Sequence, residues 1–266
     1  MLLAAGILAW GYFTATADPV VRRTTLSLPD IGGVTKVRAV LISDIHVAGP
    51  DMPPDRLARI VGQINALKPD LVLIAGDFVS DKRVATRRYN FKQAISPLAG
   101  LRPTLGTIAV LGNHDHWRNP VEANAELAAV GIRVLNNEAV SAGPLVVGGL
   151  DDDFTGHADL GKTIRAMSQL RGSMILLSHS PDPFPEVPDG MVLTVAGHTH
   201  CGQIRLPVFG AISYMSRYGD RYACGLIREG KKTLIVGAGV GTSLLPLRFG
   251  AVPDIWLVDI VATKPR

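Results

Sequence analysis

The 266-residue chain has only two cysteines, Cys201 and Cys224, and they form neither a Cys-x-x-Cys nor a zinc-ligand pattern. Two thiols in a chain this long do not make a disulfide framework, so a reduced, cytosol-facing compartment is the simpler expectation. Aromatic residues are scarce at 6%, and charged residues make up 19% against 47% hydrophobic. That balance excludes a disordered chain and supplies a sizeable core, in one domain or one plus an appendage. No internal repeat or low-complexity tract is present. Lys+Arg 27 against Asp+Glu 23 leaves a net charge of +4, which mildly favours phosphates, nucleic acid or anionic lipid and selects none of them. No aromatic-and-basic stacking platform of the kind that grips single strands stands out, so nucleic acid is not the expected partner.

Charge is wholly missing from residues 1–17 (MLLAAGILAWGYFTATA). At about 1.5 Å per helical residue, this run sits at the lower edge of what spans a bilayer core of about 30 Å. It reads first as an N-terminal membrane anchor in a hydrophobic helix. A cleaved signal ending at Ala15-Thr16-Ala17 is the competing reading, although no basic stretch precedes the apolar core. A buried N-terminal helix is the bland alternative. Arg22, Arg23, Lys36 and Arg38 follow the run, and the positive-inside bias then leaves the body on the cytoplasmic side of an inner membrane. Arg22-Arg23 comes after the apolar run, so it is not a twin-arginine signal.

Residues 18–35 read as a strand-like connector, and residues 36–266 as the catalytic domain. Apolar runs over Lys36–Ser43, Leu71–Ile74, Thr107–Leu111, Met174–Leu177 and Met191–Val195 read as buried strands. Leu57, Ile60, Val61, Ile64 and Leu67 recur at three- and four-residue spacing, which predicts a helix over Asp55–Leu67 stopped by Lys68-Pro69. Asn119-Pro120-Val121-Glu122 supplies an N-cap, a first-turn proline and an acidic third residue for a helix over Val121–Val130. Short strands are expected over Tyr222–Arg228, Lys232–Val236 and Asp254–Ile260. Alternation early and strand richness later suggest two packed sheets covered by helices, an α/β (α+β) architecture.

Each of the early and middle strands runs into a polar cluster: Asp44 and His46, Asp77, Asn113 with His114, His179, and His198 with His200. Five of the seven histidines follow apolar strand-like runs in this way. One such histidine is ordinarily a satisfied structural residue, but five beside Asp44 and Asp77 do not converge by accident. Strand-end alternation would put Asp44 and His46 on one side, and likewise His198 and His200. Carboxylate, imidazole and amide oxygen suit Mn²⁺, Fe or Zn²⁺ better than a thiolate-rich structural zinc site. Gly76, Gly112 and Gly197 permit tight turns and close approach beside these groups.

Asp44-Ile45-His46, Gly76-Asp77, Gly112-Asn113-His114-Asp115, His179 and Gly197-His198-Thr199-His200 together resemble the calcineurin-like metallophosphoesterase superfamily, in its order. The resemblance implies a four-layer αββα double β-sandwich and two divalent metal ions, Mn²⁺ first. It implies that Asp44, His46, Asp77 and His200 hold one ion, and Asp77, Asn113, His179 and His198 the other. A metal-bridging hydroxide would attack in line a phosphodiester or pyrophosphate bond. His114 would face the phosphate and serve the leaving group, with Asp115 orienting it; Asn113 and Arg205 are further substrate contacts. The stretch from Gly197 to Pro207 and on to Arg248 looks like a membrane-associated bacterial branch, some of whose members hydrolyse UDP-2,3-diacylglucosamine in lipid A synthesis. A broad-specificity phosphodiesterase or phosphatase on soluble substrates, a nuclease, and a non-catalytic metal-binding scaffold on the same fold remain as alternatives.

Other clusters are less specific. Asp151-Asp152-Asp153 suits a third ion or, more ordinarily, a solvated loop. Lys82, Arg83, Arg87 and Arg88 could grip a phosphate or an anionic membrane surface, or simply be a charged face. Arg205, Arg217 and Arg221 with Tyr214, Tyr218 and Tyr222 could shape a substrate pocket. Cys201 is expected to be a structural thiol, and His116 and His157 bystanders.

Overall fold

The computed structural model describes residues 2–28, 36–82, 84–191 and 193–263. In chain order the first elements are α1 (Leu2–Thr16), β1 (Val20–Leu28), β2 (Lys36–Ile42), β3 (Ala48–Gly49), α2 (Pro54–Ala66), β4 (Leu71–Ala75) and β5 (Arg87–Arg88). Then come α3 (Phe91–Ile95), β6 (Thr107–Val110), α4 (Asn113–Arg118), α5 (Pro120–Ala129), β7 (Ile132–Val134), β8 (Glu138–Ala142) and β9 (Leu145–Gly149). The last part holds α6 (Leu160–Ser168), β10 (Ser173–Leu177), β11 (Leu193–Ala196), β12 (Arg205–Leu206), β13 (Gly210–Ala211), β14 (Gly225–Glu229), β15 (Lys232–Val236) and β16 (Asp254–Ala262).

The helices form where the sequence places their signals. In α2, Leu57, Ile60, Val61 and Ile64 are buried and Pro54 occupies the first turn; the spacing puts all four on one stripe. Asn119 caps α5, its side-chain oxygen accepting from the Glu122 N–H at 3.1 Å, with Pro120 in the first turn. Gly131, at φ 79°, takes the chain out of that helix.

The strands assemble into two six-stranded sheets, ordered β1-β16-β2-β4-β6-β7 and β14-β15-β11-β10-β9-β8. β2, β4, β6 and β7 run parallel, as do β9, β10, β11 and β15. Their inner faces meet in one apolar layer, with Ala39, Leu41, Leu73 and Val110 from the first sheet against Val147, Ile175, Leu177 and Val195 from the second. The alternate residues of the first sheet, among them Val40, Ile42, Val72 and Ile74, pack on α2, α3 and α5. Val146 and Leu176 of the second sheet pack with Met167 of α6. Parallel strands covered on both faces explain the unbroken apolar runs in the sequence.

The segment expected as a connector contains β1, which pairs in parallel with β16 from Val20 opposite Asp254 to Leu28 opposite Ala262. Residues 29–35, Met1, Arg83, Val192 and 264–266 lie outside the described residues, including the parts of the connector, the Met191–Val195 strand and the basic cluster that fall on them. The expected hydrophobic helix is α1. Its fifteen residues extend about 22 Å, and among the described residues no helix is long and apolar enough to cross a membrane.

Candidate metal centre

The C-terminal ends of β2, β4, β10 and β11, with the start of α4 beyond β6, gather at one end of the two sheets, where parallel-strand folds place their ligands. Side-chain alternation is not what directs the paired residues. β2 ends at Ile42 and β11 at Ala196, and Asp44, His46, Asp77, His198 and His200 all lie beyond strand ends with φ between 49° and 70°. Left-handed backbone is uncommon for non-glycine residues and persists where the surroundings over-determine it. Hydrogen bonds between loops do so here: Asp44 N–H to Gly76 O at 3.1 Å, His46 N–H to Asp77 O at 2.9 Å, Gly197 N–H to His179 O at 2.9 Å and Gly241 N–H to Asp44 O at 2.8 Å. Gly112 is required by close approach, since a Cβ there would lie 2.3 Å from Asp77 Oδ1.

The seven expected ligand side chains converge. Asp77 Oδ2 lies 3.4 Å from His46 Nε2 and 3.3 Å from His179 Nε2, so one carboxylate oxygen serves both halves of the cluster. On one side, His46 Nε2 and His200 Nε2 are 3.1 Å apart, with Asp44 Oδ1 3.5 Å from His200 Nε2. On the other, His179 Nε2 faces Asn113 Oδ1 at 3.0 Å and His198 Nδ1 at 3.1 Å. Three-residue ligand sets are formed by Asp44, His46 and His200, by Asp44, Asp77 and His179, and by His46, Asp77 and His114.

These residues fit divalent ions. His179 Nδ1 lies 2.7 Å from the Ala75 carbonyl, which can only accept, so Nδ1 carries a proton and Nε2 is the atom left to ligate an ion; burial would lower this ring, but the Asp77 carboxylate 3.3 Å away holds it well above the ordinary histidine range. Nε2 faces an amide oxygen, a carboxylate and another ring nitrogen, an assembly of acceptors that a cation, a proton or a metal ion, satisfies. Burial drives His46 and His200 well below the ordinary histidine range and His198 down to about 3, so these rings are neutral ligands at pH 7. Burial alone would raise the Asp77 carboxyl, but His179, His114 and His46 around it hold it well below the usual carboxylate range. Burial lifts Asp44 to about 6, with Asp77 adding to the effect.

His114 stands over the cluster, its ring centroid 4.7 Å from that of His46. Its orienting partner is Asp81, not Asp115: His114 Nδ1 lies 2.5 Å from Asp81 Oδ1. Asp115 is fully buried and points the other way, accepting from the backbone N–H groups of Asp77, Gly112 and Phe78 at 2.8, 3.0 and 2.9 Å. It fixes the turn that carries Asp77. The sequence order His114-Asp115 suggested a side-chain pair, but adjacent residues at a helix start diverge. Asp81 lay in a loop among basic neighbours, with no periodicity to aim it.

Two further rings escaped the sequence reading. Trp117 and Phe154, both well exposed, flank the centre: Trp117 is 4.9 Å from His114, Phe154 is 4.9 Å from His198, and they lie 6.1 Å from each other. Arg248, fully buried, donates to the Ala238, Gly239 and Gly241 carbonyls and lies 3.4 Å from His200 Nδ1.

Several expectations change. Lys82 is no phosphate or membrane contact: its Nζ is buried against Asp51 at 2.7 Å and Thr242 at 2.9 Å. Arg87 and Arg88 are exposed. The three consecutive aspartates are individually engaged, Asp151 with His116, Asp152 with Thr155 and Asp153 with Arg217, so His116 is not a bystander. Arg205 donates to the Cys201 carbonyl at 3.2 Å, and Arg221 pairs with Glu229. Cys201 is not a free thiol, because it forms a disulfide with Cys224. The excursion from Gln203 to Ala223 returns beside the turn after His200, where Thr199 Oγ1 donates to the Ala223 carbonyl at 2.6 Å. A spacing of 23 residues concealed that meeting.

The chain is similar to known metallophosphoesterases. The family model for calcineurin-like phosphoesterase matches residues 37–202. An uncharacterized metallophosphoesterase of Bacillus subtilis, YkuE, is 32% identical over 240 residues, 87% of this chain and 82% of its own length. A transmembrane protein with metallophosphoesterase domain from Danio rerio is 30% identical over 96% of this chain and 60% of its own, and an uncharacterized metallophosphoesterase of Helicobacter pylori 28% identical over 92% and 65%. The chain thus spans less than two thirds of the latter two relatives.

Proposed function

The chain belongs to the calcineurin-like phosphoesterase family and is a metal-dependent phosphoester hydrolase, and from its centre we infer that it holds two divalent ions and cleaves a phosphodiester or pyrophosphate bond. The observation that carries this reading is Asp77 Oδ2, within 3.4 Å of a ring nitrogen on each side. Asp44, His46 and His200 would complete one site, and Asn113, His179 and His198 the other, on a four-layer αββα arrangement. Mn²⁺ leads, with Fe and Zn²⁺ compatible with the same donors. Bound ions would supply Lewis-acid polarisation of phosphoryl oxygens and a lowered pKa for coordinated water.

The protein's own groups do the rest. Water oxygen bonds to phosphorus and gives up a proton to solvent as the bond from phosphorus to the leaving oxygen breaks, and the leaving oxygen takes up a proton. His114 is placed to deliver that proton from Nε2, because Asp81 engages Nδ1 and sets the ring's orientation. Asp115 holds the Asp77 turn, and Arg248 the loop behind His200. Trp117 and Phe154 give the leaving-group side an apolar wall, which suits a diester or pyrophosphate better than a bare monoester.

Membrane association through α1 is part of this proposal, and the disulfide favours an oxidising compartment over the cytoplasmic side. UDP-2,3-diacylglucosamine in lipid A synthesis is the specific substrate to test. The test is turnover of metal-loaded full-length protein on bis-p-nitrophenyl phosphate, p-nitrophenyl phosphate and the lipid-linked pyrophosphate side by side. Diester cleavage exceeding monoester cleavage is expected. Silence on all three with metal bound would return the chain to a non-catalytic scaffold.

A further inference from the structure

We propose that the β12–β13 hairpin, the loop from Ser243 to Phe249 and α1 form one lipid-facing surface that docks the protein on an anionic membrane with the metal centre beside the interface. The three segments expose large apolar side chains: Val208 at 100% and Phe209 at 86% on the hairpin tip, Leu244 at 72% on the loop, and Trp10 at 62% on α1, beside the Phe249 ring. Apolar exposure of this kind on segments joined to one another marks an interaction surface.

Phe249 joins the segments. Its carbonyl accepts from the Arg205 N–H at 2.8 Å at the base of the hairpin, and its ring lies 5.5 Å from Trp10 of α1. The Arg248 N–H donates to the Gly11 carbonyl at 3.0 Å. Gly11 allows this approach, since a Cβ there would stand 2.4 Å from the Phe249 ring. Gln203 Nε2 donates to the Leu245 and Leu247 carbonyls, both at 3.0 Å, tying loop to hairpin.

Two observations select lipid as the occupant. Residues 1–17, 201–219 and 237–253 contain no aspartate or glutamate, whereas Arg205 lies at the hairpin's base; a carboxylate-free apolar surface with a basic group suits anionic headgroups. α1 is apolar around its whole circumference, and only Gly11 and Ala15 are buried. A protein groove covers one stripe of such a helix, while acyl chains cover every exposed side.

The surface is mechanically continuous with the centre. The hairpin follows the turn after His200, and the loop carries Arg248, whose Nη2 is 3.4 Å from His200 Nδ1. Docking stands independently of hydrolysis, but its use, presenting the centre to a phosphoester held in the membrane, rests on the reading above.

The experiment is co-sedimentation of the full chain with phosphatidylcholine vesicles with and without about 30 mol% phosphatidylglycerol, comparing wild type with Val208→Ser/Phe209→Ser and with Leu244→Ser. Both sets of side chains are exposed, so the variants are expected to fold and to keep bis-p-nitrophenyl phosphate turnover. Wild type is expected to bind the anionic vesicles, and the tip variant to bind about tenfold more weakly or less, since buried apolar area sets interfacial affinity. Wild type failing to bind either vesicle, or unchanged binding in both variants, would overturn the proposal. So would a self-associated wild type, seen by sedimentation velocity, that the tip variant dissociates. Vesicle binding without turnover would count against the hydrolase reading alone.

Discussion

The rim that carries Asp44, Asp77 and His200 and the hairpin that follows it are neighbours in the chain built on opposite terms. On the rim, left-handed residues are held by hydrogen bonds from adjacent loops, and Asp115 alone satisfies three backbone donors. On the hairpin, Val208 also has φ 70°, yet its side chain is fully exposed. The difference teaches that strain alone does not mark a site; strain clamped from several directions does. Substitutions on the rim therefore act on chemistry and folding, and substitutions at the hairpin tip on neither.

The largest effect is expected within the rim. Asp77→Ala should lose metal and turnover together, by more than the about 10–100-fold that losing an outer-shell partner costs. His114→Ala should retain metal while turnover falls by about 10²–10⁴, read by metal analysis beside diester kinetics. Metal lost from the His114 variant would erase the division of roles.

The next test separates the two aspartates near His114. Asp81→Asn should lower kcat by about 10–100-fold and distort the pH-rate profile with little change in Tm, as expected of a partner that orients a ring. Asp115→Ala should unfold the protein more easily, since each stranded buried donor costs about 1–3 kcal/mol. The reverse pattern would restore Asp115 as the orienting group.

Between rim and hairpin runs the Cys201–Cys224 disulfide. Reducing it should cost about 2–4 kcal/mol of stability, seen as a lower Tm, with metal binding less affected than by Asp77→Ala. No shift in Tm, or free thiols by mass spectrometry in protein isolated under oxidising conditions, would break this link.

The smallest effect is expected at the rim's margin. Burial opposes protonation of His116, but Asp151 accepting from its ring raises its pKa overall, and burial acting to raise Asp151 is outweighed by His116, which lowers it. A raised histidine contributes stability below its unfolded pKa of about 6.5 and loses it as pH rises through the folded value. The lowered carboxyl contributes above about 3.9 and loses it as pH falls. His116→Gln should therefore narrow the Tm difference from wild type as pH is raised from the mildly acidic range. A difference that grows with pH would reject the pair.

Much of the centre was legible because hard ligands after apolar runs leave a linear trace: strand, then Asp-x-His, Gly-Asp, Asn-His or His-x-His. The α2 and α5 boundaries were legible from stripe spacing, Lys68-Pro69, Asn119 and Pro120. Asp81, the disulfide and the Lys82–Asp51–Thr242 contact were not, because each joins loops whose paths no periodicity describes. The strand-like segment after α1 was read as a connector, since an edge strand with one partner carries a weaker apolar signal than a central one.

The sequence by itself determined the central buried strands, the α2 and α5 stripes and which side chains offer metal-competent atoms, because periodicity and ligand chemistry are local properties. Only the tertiary structure decided which oxygen of Asp77 faces both histidine pairs, which aspartate turns His114, and that Cys201 meets Cys224. It also brought α1, the hairpin and the Ser243–Phe249 loop onto one face. Those outcomes depend on how loops from separate strands hydrogen-bond to one another, a long-range condition that no run of neighbouring residues contains.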